Sequence, residues 1–187
     1  RTAKRILREA KQTYSEYLKT GDVTDEVIRA TVHLAQLDPI YRAEYVDPNL
    51  GVVGQPIIDE LRELLSLVNP KYFHAETFCA LNPTFGEASL LVGGADADLV
   101  IDDVLIDIKT TQSGKLDMGQ FHQLVGYYIL AYMGGVNGNH NIKIGHLGVY
   151  YSRFGELLTF PSAILQNAGF PQLLKWFRDK AEEAFGQ

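Results

Sequence analysis

Apolar residues recur at helical spacing through Ala3, Ile6, Leu7, Ala10, Tyr14, Tyr17 and Leu18, which predicts an amphipathic helix over residues 3–18. Lys4, Arg8 and Lys11 share another of its faces. A second helix is expected from Thr24, a suitable N-cap, through Val27, Ile28, Thr31, Leu34 and Ala35, stopping before Pro39. After the loop "DPNLGVVG", the stretch "QPIIDELRELLSLV" predicts a third helix with Pro56 in its first turn and Pro70 past its end. The spacing then changes. "KYFHAETFCAL", "EASLLV", "ADADLVI" and "VLIDIKT" are short, alternating or β-branched runs that read as strands. A helix from about Met118 to Met133 follows, with Asp117 and Gln120 spaced as a capping box. "IKIGHLGVYYS" and "ELLTF" predict a closing strand pair around Phe154-Gly155. "PQLLKWFRDKAEEAF" predicts a last helix that buries Leu173, Leu174, Phe177 and Ala181. The order predicts an α/β or α+β domain with a mixed sheet over residues 51–187, behind a helical extension over residues 1–50.

Composition narrows the class. A chain of 187 residues with 46% hydrophobic and 21% charged residues is globular in character and can bury a sizeable core. No apolar run approaches the roughly 20 residues that span a bilayer. The opening residue is Arg1, not Met, which raises the expectation of a longer parent chain. One cysteine, Cys79, excludes a disulfide framework, a four-cysteine zinc site and an iron–sulfur cluster, and points to the reducing cytoplasm. The net charge of −6 argues against a broadly basic surface. It hides a gradient: residues 1–20 carry six basic and two acidic side chains, residues 96–117 six acidic and two basic.

The acidic stretch is "GGADADLVIDDVLIDIKTT", residues 93–111. With Asp102-Asp103 as a two-residue hairpin turn, Ile101 pairs with Val104, Asp98 faces Asp107 and Asp96 faces Lys109. Alternation then gathers Ala97, Leu99, Ile101, Val104, Ile106 and Ile108 on one face of the ribbon. Asp96, Asp98, Asp107 and Lys109 fall on the other, with Val100 and Leu105 nearer the turn. Carboxylates directly opposite one another on a sheet repel. A solvated face would screen them, and a divalent cation would join them. Mg²⁺ takes oxygen ligands and commonly uses one or two carboxylates, here Asp98 and Asp107, with the Ile108 carbonyl as a third donor. Lys109 on the same face would reach a nucleophilic water or a scissile phosphate, an arrangement suited to phosphodiester hydrolysis.

The pattern "ADLVIDDVLIDIKTT" resembles the catalytic hairpin of the PD-(D/E)XK nuclease superfamily, in which an aspartate enters a strand and acid-x-Lys lies on the returning one. Asp107-Ile108-Lys109 matches the acid-x-Lys element. Asp98, followed by Leu-Val-Ile, and Asp96, spaced from Gly93, are the two candidates for the upstream aspartate. "FHQLVGYYILAY" adds Gln123 and Tyr127 on one helical face, similar to the Gln-x-x-x-Tyr element of the RecB-like branch. The likeness runs from about residue 54 to 151, without the four cysteines of the iron–sulfur members and without a helicase motif. It implies a restriction-endonuclease-like core and a Mg²⁺- or Mn²⁺-dependent nuclease acting on nucleic acid, DNA first. Asp98, Asp107, Lys109 and Asp96 are then the catalytic set, and Gln123 and Tyr127 shape the site or contact substrate. An earlier acid is also implied, from Asp59, Glu60, Glu63 or, off the first strand, Glu76 as a metal ligand. Lys4, Arg8 and Lys11 are expected to meet the phosphate backbone. A protein partner or parent chain is a further expectation. Two other readings compete: a non-catalytic nuclease-like domain that binds nucleic acid or protein, and a glycosyltransferase using Asp96-Ala97-Asp98 as a D-x-D metal motif.

Overall fold

The computed structural model describes residues 2–186, the side chains of residues 41 and 42 excepted. Its chain divides into two compact units, one ending at Ser66 and the other beginning at Leu67. Arg1 and Gln187, the outer bounds of the two expected segments, lie outside the described residues.

The first unit is helical: α1 (Thr2–Thr20), α2 (Asp25–Ala35), α3 (Asp38–Ala43) and α4 (Gln55–Ser66). Thr24 caps α2 as its spacing predicts, its hydroxyl accepting from the Val27 N–H at 3.3 Å. Pro39 does more than end α2; it sits in the first turn of the short α3, which the sequence pattern does not announce. Ile6 and Ala10 of α1, Val27, Ile28 and Ala30 of α2, and Ile58 of α4 form the buried set. Leu18, expected on the buried face, is 81% exposed. Helix α4 belongs with this unit, although the pattern places the change of domain after residue 50. Ile58 is fully buried, and the Arg62 guanidinium pairs with Asp25 at the start of α2.

The second unit is α/β. Five strands, β1 (Cys79–Leu81), β2 (Leu99–Ile101), β3 (Val104–Lys109), β4 (His146–Tyr151) and β5 (Glu156–Pro161), lie side by side in chain order. All neighbours are antiparallel except β3 and β4, which are parallel and joined by α5 (Met118–Gly134). Val100, Leu105, Leu147, Val149 and Tyr151 pack with Leu124, Tyr128 and Ile129 of α5 and with Phe170 of α6 (Phe170–Phe185). On the opposite face Leu99, Ile101, Ile106 and Tyr150 are covered by Val68, Tyr72 and Phe73. The central strands are therefore apolar on both sides, which is why they read as nearly continuous hydrophobic runs.

Two predicted strands differ. "EASLLV" forms a 3-10 helix, Gly86–Val92, because the Ser89 hydroxyl accepts from the Phe85 N–H at 2.8 Å and donates to the Ala95 carbonyl at 2.7 Å, closing the backbone on itself. This segment packs so closely on α5 that a Cβ at Gly134 would come within 1.9 Å of the Phe85 carbonyl oxygen. In "KYFHAETFCAL" only Cys79–Leu81 is strand; Pro70–Tyr72 is a 3-10 turn capped by Asn69. The capping box of α5 is present, with Asp117 and Gln120 reciprocally bonded. Among the described residues no helix is long and apolar enough to cross a membrane.

Candidate active site

The hairpin has the register that its sequence predicts: Ile101 pairs with Val104, Val100 with Leu105 and Leu99 with Ile106. Asp102 takes the turn at φ +50°, a backbone that aspartate tolerates better than most residues. It also does something no turn propensity indicates. Its carboxylate accepts from the N–H groups of Glu76, Thr77 and Phe78 and from the Thr77 hydroxyl, at 2.8–3.1 Å. Those donors hold the Asp102 carboxyl well below the usual carboxylate range. Asp103 reaches the other way, to His146 Nδ1 at 3.1 Å, at the start of β4.

Beyond Leu99 the ladder ends, because the chain bends at Asp98. Ala97 is buried with Val100 and Leu105 on the α5 side rather than with Leu99 and Ile101, the face that simple alternation assigns to it. Asp98 remains beside β3. Its Oδ2 accepts from the Ile108 N–H at 2.6 Å, taking the place of a strand partner. The residues of β3 alternate in direction: the Lys109 carbonyl accepts from the Ser152 N–H of the β4 side at 3.0 Å. The Ile108 N–H and carbonyl therefore both turn towards Asp98.

Asp107 is 3% exposed, among the most deeply placed charged groups in the described chain. Lys109 Nζ stands 2.7 Å from its Oδ2, a close ion pair at an otherwise buried carboxylate. Burial raises the Asp107 carboxyl above its ordinary value; Lys109 opposes the rise and Asp98 adds to it. From α5, Gln123 Oε1 accepts from Lys109 Nζ at 2.8 Å, while its Nε2 donates to the Tyr127 hydroxyl at 2.8 Å. Burial, opposed by Gln123 and reinforced by Asp107 and Asp98, also raises the Tyr127 phenol, keeping it protonated. Asp98, Asp107, Lys109, Gln123 and Tyr127 thus form one connected cluster over the carboxyl end of β3.

Compared with family models, curated proteins and solved structures, the chain matches none. The reading of the cluster rests on its own chemistry.

Other expected residues stand elsewhere. Asp96 is exposed, and its backbone bridges Thr84, continuing the register of β1 with β2. The two acids of Asp96-Ala97-Asp98 consequently meet different neighbours. Glu76 is exposed at the Asp102 turn, the opposite end of the hairpin from Asp98, and precedes β1 instead of projecting from it. Asp59, Glu60 and Glu63 are exposed on α4, and Lys4, Arg8 and Lys11 on α1, all in the first unit. The cluster itself is built from second-unit residues alone. Among the described residues no group of three or more His, Cys, Asp and Glu side chains converges as metal ligands do.

Two features of the site escape sequence reasoning. Gln120 is more than a cap: its Oε1 accepts from the hydroxyl of the buried Tyr151 at 2.9 Å, tying the start of α5 to β4. Thr110 and Ser152, just past the ends of β3 and β4, share a hydroxyl–hydroxyl hydrogen bond of 2.8 Å. Both depend on the parallel pairing of Asp107 with Val149 and Lys109 with Tyr151, which no local signal in either segment specifies.

Proposed function

We propose that the chain is a divalent-metal-dependent nuclease of PD-(D/E)XK type with a restriction-endonuclease-like core, hydrolysing phosphodiester bonds in nucleic acid, DNA first. One observation carries the reading: the buried Asp107 carboxylate stands between Asp98, which repels it, and Lys109, 2.7 Å from its Oδ2. A buried carboxylate beside a second carboxylate is costly, and a hard cation between them would offset both charges. The Ile108 carbonyl, turned towards Asp98, supports the same donor set of Asp98, Asp107 and Ile108, completed by water.

Mg²⁺ or Mn²⁺ held there would lower the pKa of a bound water and neutralise negative charge on the attacked phosphate. The protein's own groups do the rest. Lys109 adds a positive charge at the phosphate, and the Gln123 amide oxygen holds its ammonium in place. Tyr127 sets the orientation of that amide. Water oxygen bonds to phosphorus, one P–O ester bond breaks, and the departing oxygen takes a proton.

The test is incubation of linear, circular, single- and double-stranded DNA, and of RNA, with Mg²⁺ or Mn²⁺. Cleavage is expected, lost in chelator and reduced by about 10²–10³-fold in Asp107→Ala and in Lys109→Ala. Wild-type activity in both variants would overturn the assignment. The alternative is a non-catalytic nuclease-like domain that binds nucleic acid or protein. It is favoured by the proximity of Lys109 to Asp107, which already offsets the carboxylate's charge without a cation. Titration calorimetry with Mg²⁺ and Mn²⁺ separates the two, since a protein that takes up neither ion fits only the alternative.

A further inference from the structure

The carboxyl ends of β3 and β4 lead into two segments that touch. Ser152 is bonded to the Lys109 carbonyl through its N–H and to the Thr110 hydroxyl through its own. Two residues on, the turn closes with the Phe154 N–H donating to the Tyr151 carbonyl at 3.0 Å. In the β3–α5 connection, Gly114 lies against the Phe154 ring: a Cβ at Gly114 would come within 3.2 Å of it. Phe154 is seated on that backbone, yet 46% of it stays exposed. Lys115, the next residue along the connection, is exposed as well. An open aromatic ring and an exposed lysine thus lie on the two segments that leave the carboxyl ends of β3 and β4.

The Asp107–Lys109 pair of the cluster is recessed. Asp107 is 3% exposed, and the Lys109 side chain 23%. A scissile phosphate must descend below the surface to reach them. Duplex DNA is stiff, with a persistence length of about 50 nm, and bending it into a recess costs energy. A single strand bends freely, and every base has a face that can stack on an aromatic ring. We propose that Phe154, assisted by Lys115, is a stacking platform that makes single-stranded nucleic acid the preferred substrate. Its placement beside the scissile phosphate rests on the nuclease reading; its affinity for an unpaired base does not.

The experiment uses the full chain in chelator, where no cutting occurs, with fluorescence anisotropy of a labelled oligothymidine and of a duplex of equal length. Wild-type protein is expected to bind the single strand more tightly than the duplex. Phe154→Ala should weaken single-strand binding by about 5- to 100-fold, the stacking of one base, and leave the duplex nearly unchanged. Phe154→Trp should retain the preference, and Lys115→Ala should reduce the salt slope by about 0.7. Thermal melting checks that the variants fold. Equal affinity of wild type for both strand forms, or unchanged single-strand binding by a folded Phe154→Ala, overturns the platform. Cleavage assays on the same variants separate the two proposals. Binding that depends on Phe154 without metal-dependent cutting sinks the nuclease and keeps the platform. Cutting with a strand preference indifferent to Phe154 does the reverse.

Discussion

Asp107 carries a conflict in its surroundings. Burial disfavours its charge, Asp98 adds repulsion, and Lys109 alone opposes them. A carboxyl raised in the folded state favours folding at low pH; that contribution is fully present below the ordinary value of 3.8 and is lost as pH rises through the raised folded value. At neutral pH without metal, the ionised Asp107 therefore costs stability. Asp107→Asn, which keeps the shape and removes the charge, is expected to raise the melting temperature at pH 7, and the gain should shrink as pH falls through the raised folded value and be gone below 3.8. Added Mg²⁺ should raise the wild-type melting temperature and leave the variant's nearly unmoved, because binding to the native state adds stability by mass action. Scanning calorimetry across pH, with and without the ion, reads both effects; a variant that melts lower at pH 7 would show that the Lys109 pairing outweighs burial.

At the scale of elements, the β2–β3 hairpin is clamped at one end and open at the other. Asp102 gathers four donors from residues 76–78 and so fastens the segment leading into β1 to the turn. Its lowered pKa gives the opposite sign to that of Asp107: the stabilisation is present above 3.8 and is lost as pH falls through the depressed folded value. Asp102→Ala is expected to lower the melting temperature at pH 7 and to remove part of the wild-type protein's acid sensitivity below pH 3.8. Parallel acid titrations followed by circular dichroism check this, and identical acid profiles would count against it. At the open end, Asp98 spends its carboxylate on the Ile108 N–H. The catalytic candidates cluster where the β2–β3 ladder has stopped.

At the scale of the whole molecule, the second unit contains both faces of its sheet and their covers. The α5 and α6 side and the Val68–Phe73 side are each packed by residues after Ser66. Residues 67–187 expressed alone are therefore expected to fold, with a cooperative melt and the near-ultraviolet dichroism of ordered aromatic residues. A broad, non-cooperative melt would mean that helix α4 or its neighbours are required.

Much of this was legible locally. The capping residues Thr24 and Asp117 act through partners three positions away, and helix α5 follows from them. The hairpin register follows from a two-residue turn and the period of two along a strand. So does the meeting of Asp107 with Lys109, two residues apart on one strand. Gln123 and Tyr127 share a face because four residues make about one helical turn. What the sequence alone could not decide involves contacts between distant segments. Ala97 left its expected face because the chain bends at Asp98 beside it, while the Ala97 N–H stays bonded to the Pro83 carbonyl. Ser89 turned an apolar run into a 3-10 helix through bonds to Phe85 and Ala95. The placement of Gln123 over Lys109, and of Phe154 on Gly114, waited for β4 to pair in parallel beside β3, a choice made by burial of both sheet faces at once.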